Sequence, residues 1–395
     1  MQIFGETDID FIGRRNVFLG LSLVLILAGL ASLIAKGGPK LGIDFKGGTL
    51  AYLKLKDAPD LNAFRSSLAE RGLTVATLQP FDDSEGGYEL KIDLDLDGET
   101  AATSGKDQLL ATLNDLYPGD AAKLDFNNAG VEALAERLRR DAGVAASDLT
   151  SDEVSEVAQA LIDFRNAPPR AGLVTDFGEL ASVPGANPDI ISALKAETYL
   201  GAFAIRGVEV VGPKVGRDLQ WQAFSATMWA LGGMLLYIAF RFEWIYGVAA
   251  VAAVFHDVLI TVGFFSLFDR EVELTVIAAL LTLVGYSMND TIVIFDRVRE
   301  NRKLTRRKGL EELLNLSVNQ TLSRTVLTSG LTLAAVLCLF IFGGEVLRGF
   351  SFALVVGVLV GTYSSIFVAS PILLWSQGAK ATTAAKATEK AGSRS

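Results

Sequence analysis

Six apolar runs, each near the roughly 20 residues that an α-helix needs to cross a bilayer, dominate this sequence: Asn16–Ala35, Trp221–Phe240, Ile245–Leu267, Leu274–Phe295, Thr325–Gly343 and Phe350–Trp375. Hydrophobic residues make up 50% of the 395, which excludes an ordinary soluble globule. The first run follows Arg14 and Arg15, as a signal-peptide core would. It is too long for such a core and no A-x-A-like cleavage site follows, so it reads as a retained anchor. The expected class is a polytopic α-helical membrane protein with six transmembrane helices.

Charge separates the rest. From Gly37 to Gln220 there are 18 basic and 30 acidic residues, a formal −12 against −9 for the whole chain, so the remainder carries +3. Lys and Arg collect before the first run (Arg14, Arg15), between the fourth and fifth (Arg297, Arg299, Arg302, Lys303, Arg306, Arg307, Lys308) and in the tail; the links after the third and fifth hold only Arg270 and Arg348. The positive-inside rule then puts both termini in the cytoplasm and the segment 36–220 outside. An acidic outer domain does not suit nucleic acid. The one cysteine, Cys338, falls in the fifth run, so no intrachain disulfide is expected.

Alternation predicts strands at Ala51–Lys56, Tyr88–Leu96 and Phe203–Val211, with amphipathic helices at Leu61–Arg71 and Lys106–Tyr117, a small α+β fold. Between them, over about 120–201, the pattern turns helical: Gly130–Arg140, then Thr150–Phe164 with Thr150 and Ser151 as N-caps, then Ile190–Lys195. This reads as an inserted helical subdomain. Residues 376–395, rich in Gly, Ala, Ser and Lys, read as a disordered cytoplasmic tail.

An ionisable residue inside a span costs a few kcal/mol and is a functional candidate by default. Asp290, beside Asn289, lies some 16 residues, about 24 Å, from the outer start of the fourth run; Arg324 lies some 18 residues, about 27 Å, from the outer end of the fifth. The two opposite charges therefore sit at similar depth in consecutive spans. They suit a salt bridge that forms when Asp290 is ionised and loosens when it takes a proton; a helix staple or a snorkelling arginine is the plainer alternative. Gly285, Ser287 and Asn289, with Thr325, Thr328 and Ser329, are expected to give a polar lining and close helix approach. His256, the only histidine, and Asp257 lie near the middle of the third run, where they suit a proton relay or interhelical hydrogen bonding. Arg241 and Glu243 read as an interfacial ion pair. Gly42-Ile-Asp44-Phe-Lys-Gly47-Gly48 is not a phosphate loop, since it lacks the Gly-Lys-Ser/Thr ending and opens a strand; its glycines serve backbone geometry. No metal cluster and no nucleophile–base pair is recognisable, so no cofactor and no enzymatic activity are expected.

Seven motifs occur in a telling order: GIDFKGGTL (Gly42–Leu50), VEVVGPKVGRDL (Val208–Leu219, with Gly212 and Pro213), RFEW (Arg241–Trp244), FHDVLIT (Phe255–Thr261), GYSMNDTIVIFDRVREN (Gly285–Asn301), LSRTVLTSGLTL (Leu322–Leu333) and FGG (Phe342–Gly344). In this order the chain resembles the SecF side of the SecD/SecF family of protein-export membrane proteins. The resemblance implies six spans of RND type with a large α+β periplasmic domain between the first and second, in the bacterial inner membrane. It implies a cycle driven by the proton-motive force in which SecD is the partner, with SecYEG, SecA, YajC, exported unfolded polypeptide and membrane lipid as further contacts. It places the family's proton-path aspartate and arginine on Asp290 and Arg324, with an aspartate from SecD beside them. SecF outer domains are usually shorter, which marks residues 120–201 as an insertion. Within it ASVPGANPDIISAL (Ala181–Leu194) resembles the helix–hairpin–helix-like domain of type II secretion pseudopilins, with a spacer or partner-docking role implied. Two rivals remain: one half of an RND-type small-molecule or lipid exporter, and a non-transporting scaffold of a translocon.

Overall fold

A computed structural model of the chain describes residues 7–71, 73–82, 88–95, 101–141, 150–241, 244–305 and 308–375. They fall into two compact units, residues 43–218 and the remainder. The expected tail over 376–395 and the pairing of Arg241 with Glu243 lie outside what is described.

The first unit is built on a four-stranded antiparallel sheet. Strands β1 (Gly48–Leu55), β2 (Thr74–Asp82), β3 (Tyr88–Asp95) and β6 (Phe203–Val211) lie in the order β2-β3-β1-β6. With helices α3 (Leu61–Glu70) and α4 (Ala101–Leu116) in the connections, this is a split β-α-β arrangement of ferredoxin-like type. Period-2 alternation sends Ala51, Leu53 and Leu55 of β1 and Leu90, Ile92 and Leu94 of β3 to one face, where Phe64 and Leu68 of α3 and Leu109 and Leu113 of α4 cover them. Asp60 starts α3 by accepting the amides of Asn62 and Ala63.

Two expectations need correction. The stretch after Gly42 does not open directly into a strand: Ile43–Lys46 forms a helical turn, α2, before β1 begins at Gly48. Strand β2 was not expected at all. Its Pro80 argues against a central strand, and β2 is an edge strand, where a missing N–H is tolerated.

Between α4 and β6 lies a separate helical core. It contains β4 (Leu124–Asp125), α5 (Val131–Arg140), α6 (Ser151–Asn166), the 3-10 turn Phe177–Ser182, α7 (Pro188–Glu197) and β5 (Thr198–Tyr199), with β4 and β5 paired in parallel. Leu134 and Leu138 of α5 pack with Val154, Ala158 and Leu161 of α6 and Ile190 and Leu194 of α7. Thr150 and Glu153 close a reciprocal capping box at α6. The buried Arg165 ties this core to its own chain: Nη1 donates to the Phe126 carbonyl at 2.7 Å and the Ala129 carbonyl at 2.9 Å.

The second unit holds α1 (Arg15–Ala35), α8 (Pro213–Arg241, which begins in the first unit), α9 (Trp244–Leu267), α10 (Leu274–Leu304), α11 (Leu310–Phe342) and α12 (Gly344–Ser364). A π-helical turn at Ser365–Ala369 extends α12, and the apolar span runs on to Trp375. Among the described residues five helices are long and apolar enough to cross a membrane: Ile12–Ala35, α9, α10, α11 and Val346–Trp375. The expected second span, Trp221–Phe240, lies within α8. The core of this unit joins Ala249, Ala250 and Ala253 of α9, Val284 and Met288 of α10, Leu314 and Val318 of α11, and Ile366 and Phe367 of the π-helical turn. Helix α1 meets α9 through glycines: a Cβ on Gly29 would stand 2.7 Å from the Gly263 Cα. Ahead of α1 the chain is clamped to α11. Asn315 Oδ1 accepts the amides of Phe11 and Ile12, and the Asn319 side-chain amide bonds both backbone groups of Ile9.

Candidate functional site

Helix α10 places Asp290 16 residues from its start at Leu274, and the carboxylate is buried at 4% exposure. Its one hydrogen bond among the described residues comes from Ser329 on α11, whose Oγ donates to Oδ2 at 3.3 Å. Arg324, also on α11, is exposed. It acts on Asp290 electrostatically, but no ion pair joins the two. The structure thus holds the pair in its separated arrangement. Nearby, the buried hydroxyls of Tyr286 and Thr325 make no hydrogen bond.

Arg324 instead lines a cavity of about 440 Å³ with Tyr237, Val293, Asp296, Arg297, Glu300 and Gln320, among others. Val293 is three residues beyond Asp290, so this polar hollow begins within one helical turn of the buried carboxylate. Arg297 is held by Glu300 and by Gln320.

Of the expected lining, the structure brings together only part. Ser329 reaches Asp290, whereas Ser287 donates to Asp257 on α9. Asn289 and Gly285 are exposed, and a Cβ on Gly285 would meet nothing within 4 Å. Among the described residues no helix approaches Gly285 closely enough to use its missing side chain. Gly285 and Asn289 belong to an exposed stripe on α10 with Ala278, Thr282 and Asp296, at helical steps of three, four and seven.

His256 and Asp257 on α9 form a second buried cluster. His256 Nδ1 lies 2.8 Å from Asp257 Oδ1. Ser287 of α10 and Ser364 of α12 both donate to Asp257 Oδ2, and Asp257 is fully buried. On the other side of the ring, Tyr363 Oη lies 3.4 Å from Nε2 and Ser22 Oγ of α1 lies 3.1 Å from that hydroxyl. Sequence reasoning found the histidine and the aspartate but missed Ser22, Tyr363 and Ser364. The only signal for them was a hydroxyl in an apolar run.

The glycine motifs carry backbone geometry. The Gly42 amide donates to the Val272 carbonyl at 2.9 Å, and a Cβ there would collide with Glu273. Gly47 and Gly48 have φ of +79° and +145°, a region open to glycine alone at low cost. A Cβ on Gly47 would stand 2.9 Å from Pro213, and one on Gly48 2.7 Å from the Leu94 carbonyl. Asp44 sits in the helical turn α2, while a Cβ on Gly212 would meet nothing within 4 Å among the described residues.

Two family profiles match: residues 191–379 match the protein export membrane protein SecD/SecF C-terminal region, and residues 32–58 match the SecD/SecF GG motif. The protein translocase subunit SecF of Koribacter versatilis is 46% identical over 382 residues, covering 95% of this chain and 93% of the relative. The corresponding SecF of Calditerrivibrio nitroreducens is 36% identical over 94% and 95% of the two chains. Among solved structures, SecDF from Thermus thermophilus, described as a translocon-associated membrane protein, matches with a TM-score of 0.62 at 30% identity. That match covers 94% of this chain and 39% of the fused SecDF chain, so this chain spans about two fifths of it.

Proposed function

The chain belongs to the SecD/SecF family of protein-export membrane proteins, and on that premise we propose that it is the SecF-type, non-enzymatic subunit of a Sec translocase accessory complex that uses the proton-motive force to promote export. The observation that carries this reading is the buried Asp290, with a serine as its hydrogen-bond partner and Arg324 nearby but unpaired. An ionised carboxylate in that position is costly, and taking up a proton removes the cost. A carboxylate serving only as a staple would hold its arginine in an ion pair, so the separated geometry favours proton coupling over the scaffold reading. Arg324, which lines the hollow, is the charge that responds to the state of Asp290.

Work requires two conformations that protonation biases differently. The exposed α10 stripe of Ala278, Thr282, Gly285 and Asn289 is of the small and polar kind that packs membrane helices. It suits a SecD-type partner that covers Asp290 from that side; SecYEG, SecA and YajC complete the machinery. In this reading both termini are cytoplasmic, the bundle is of RND type in the inner membrane, and residues 43–218 are periplasmic and engage exported polypeptide. The helical core between α4 and β6 acts as a spacer or partner-docking module.

The test is export of a secretory precursor into inverted vesicles with a proton gradient imposed, with and without this chain. The reading expects gradient stimulation only when the chain and its SecD-type partner are both present. Equal stimulation without the chain overturns it.

A further inference from the structure

The cavity beside Arg324 pairs off only two of its four charges. Arg297 is held by Glu300, with Nη1 donating to Oε2 at 2.6 Å, and by Gln320. Asp296 and Arg324 line the same cavity of about 440 Å³, yet among the described residues neither side chain has a hydrogen-bond or ion-pair partner. An unpaired anion and an unpaired cation thus face one hollow with room between them. A ligand that brings one charge of each sign satisfies both. A net anion would answer Arg324 but set a like charge against Asp296.

Next to this polar hollow lies an apolar one. Tyr237 of α8 lines both, and the second, also about 440 Å³, is completed by Gly233, Leu236 and Phe240. These residues follow helical steps of three, four and seven and so share one face of α8. Phe240 is 92% exposed, and a Cβ on Gly233 would meet nothing within 4 Å. Depth identifies the surroundings. Asp296 lies some 22 residues, about 33 Å, from the start of α10 at Leu274, and Arg324 some 18 residues, about 27 Å, from the end of α11 at Phe342. The hydrocarbon core of a bilayer is about 30 Å thick, so the charged hollow falls at its boundary, the level of lipid headgroups. Gly233 lies one turn of α8 nearer the membrane middle than Tyr237, which puts the apolar hollow in the hydrocarbon.

We infer that the two hollows together bind one phospholipid whose headgroup carries both a phosphate and a primary ammonium, as phosphatidylethanolamine does. The Arg324 guanidinium donates to the phosphate oxygens, and the Asp296 carboxylate accepts from the ammonium. Tyr237 bridges the boundary with an apolar ring and a polar hydroxyl. One acyl chain fills the hollow over Gly233. A soluble phosphate ester could use only the polar half; the apolar half commits the site to a lipid. Asp296 lies seven residues beyond Asn289, past the stretch of α10 offered to the SecD-type partner, so lipid and partner do not compete for the same residues. The inference requires only that the chain spans a bilayer and is independent of proton coupling.

The test is native mass spectrometry of the full chain in micelles that contain dioleoyl phosphatidylethanolamine and dioleoyl phosphatidylglycerol in equal amounts. The acyl chains match, so only the headgroup decides. The expected result is one retained phospholipid, with the ethanolamine lipid favoured by about two- to fivefold, as one ion pair open to solvent supplies. Asp296→Asn removes that preference. Gly233→Leu, which fills the apolar hollow, lowers retention of both lipids alike, and Arg324→Gln also lowers both. Asp296 and Gly233 are exposed, so neither change disturbs the chain's own packing. Equal retention of the two lipids by the parent overturns the inference, as does a preference that survives Asp296→Asn or retention that Gly233→Leu leaves unchanged; each marks loosely held surrounding lipid only. Phosphoethanolamine, the headgroup alone, should not displace the lipid, and displacement by it would assign the site to a soluble ester instead. Loss of the lipid when the SecD-type partner is added would assign the hollow to that partner and likewise overturn the inference.

Discussion

Replacing Gly29 by alanine should pry α1 away from α9. The added Cβ would stand 2.7 Å from the Gly263 Cα, whereas carbon atoms in ordinary contact sit about 3.5–4.0 Å apart. The helices must therefore separate by about 1 Å at the crossing. One turn along, the Ser32 and Ser266 hydroxyls are 2.7 Å apart; the same separation moves them to about 3.7 Å, beyond hydrogen-bonding range. Overpacking costs about 1–3 kcal/mol, and a lost interhelical hydrogen bond in a membrane adds about 0.6 kcal/mol. The expected destabilisation is thus about 2–4 kcal/mol. Disulfide trapping reads it directly: with Cys338→Ala as background, Ser32→Cys and Ser266→Cys are oxidised with and without Gly29→Ala. Trapping should fall by about tenfold or more, 1.4 kcal/mol being a factor of ten, and the unfolding midpoint in mixed micelles should drop. Unchanged trapping together with an unchanged midpoint would refute the close-crossing argument.

Arg165→Met strips the Phe126 and Ala129 carbonyls of their buried donor, at about 1–3 kcal/mol for each group left unsatisfied; pulse proteolysis of the full chain should show a loss of about 2–6 kcal/mol, and a loss below about 1 kcal/mol would contradict it. The Thr150 amide and hydroxyl hold the Glu153 carboxyl below its usual range. A lowered folded-state pKa stabilises α6 above the unfolded-state value, near 4.3, and that contribution disappears as pH falls through the folded-state value. Hydrogen-exchange protection factors at the start of α6, corrected for the intrinsic rate at each pH, should therefore fall on acidification below about pH 4, and Thr150→Ala should flatten that response. Asn315→Ala removes the acceptor for the amides of Phe11 and Ile12, at about 0.5–1.5 kcal/mol for each bond; those two amides should exchange faster while exchange in α9 is unaltered.

The elements most legible in the sequence were those whose period matched their burial. Leu61–Glu70 and Phe203–Val211 form where the pattern predicts them, because each buries one face. Strand β2 escaped because Pro80 and an edge position leave it without a clean alternation. Helix α4 starts at Ala101, five residues before the expected Lys106, since its opening Ala-Ala-Thr-Ser-Gly has no large apolar side chain to mark a stripe. In the membrane unit, Asp290, Arg324, His256 and Asp257 stood out by cost alone: ionisable groups in apolar runs need a reason. Their partners did not stand out. Ser22, Ser287 and Ser364 come from α1, α10 and α12, and a serine in an apolar helix can equally bond its own i−4 carbonyl. Nothing in the local pattern says that Ser287 turns to Asp257 while Ser329 turns to Asp290. That choice is made by the rotational setting of α10 between α9, α11 and α12, which only tertiary packing fixes.

The central claim is that Asp290 couples the proton gradient to export. It is tested most directly by comparing Asp290→Asn with the parent chain in precursor export, under an imposed gradient that is then collapsed by uncoupler, in complexes verified to retain the SecD-type partner. The account predicts normal assembly and export that no longer responds to the gradient. Export by Asp290→Asn that remains as gradient-sensitive as the parent's would contradict it.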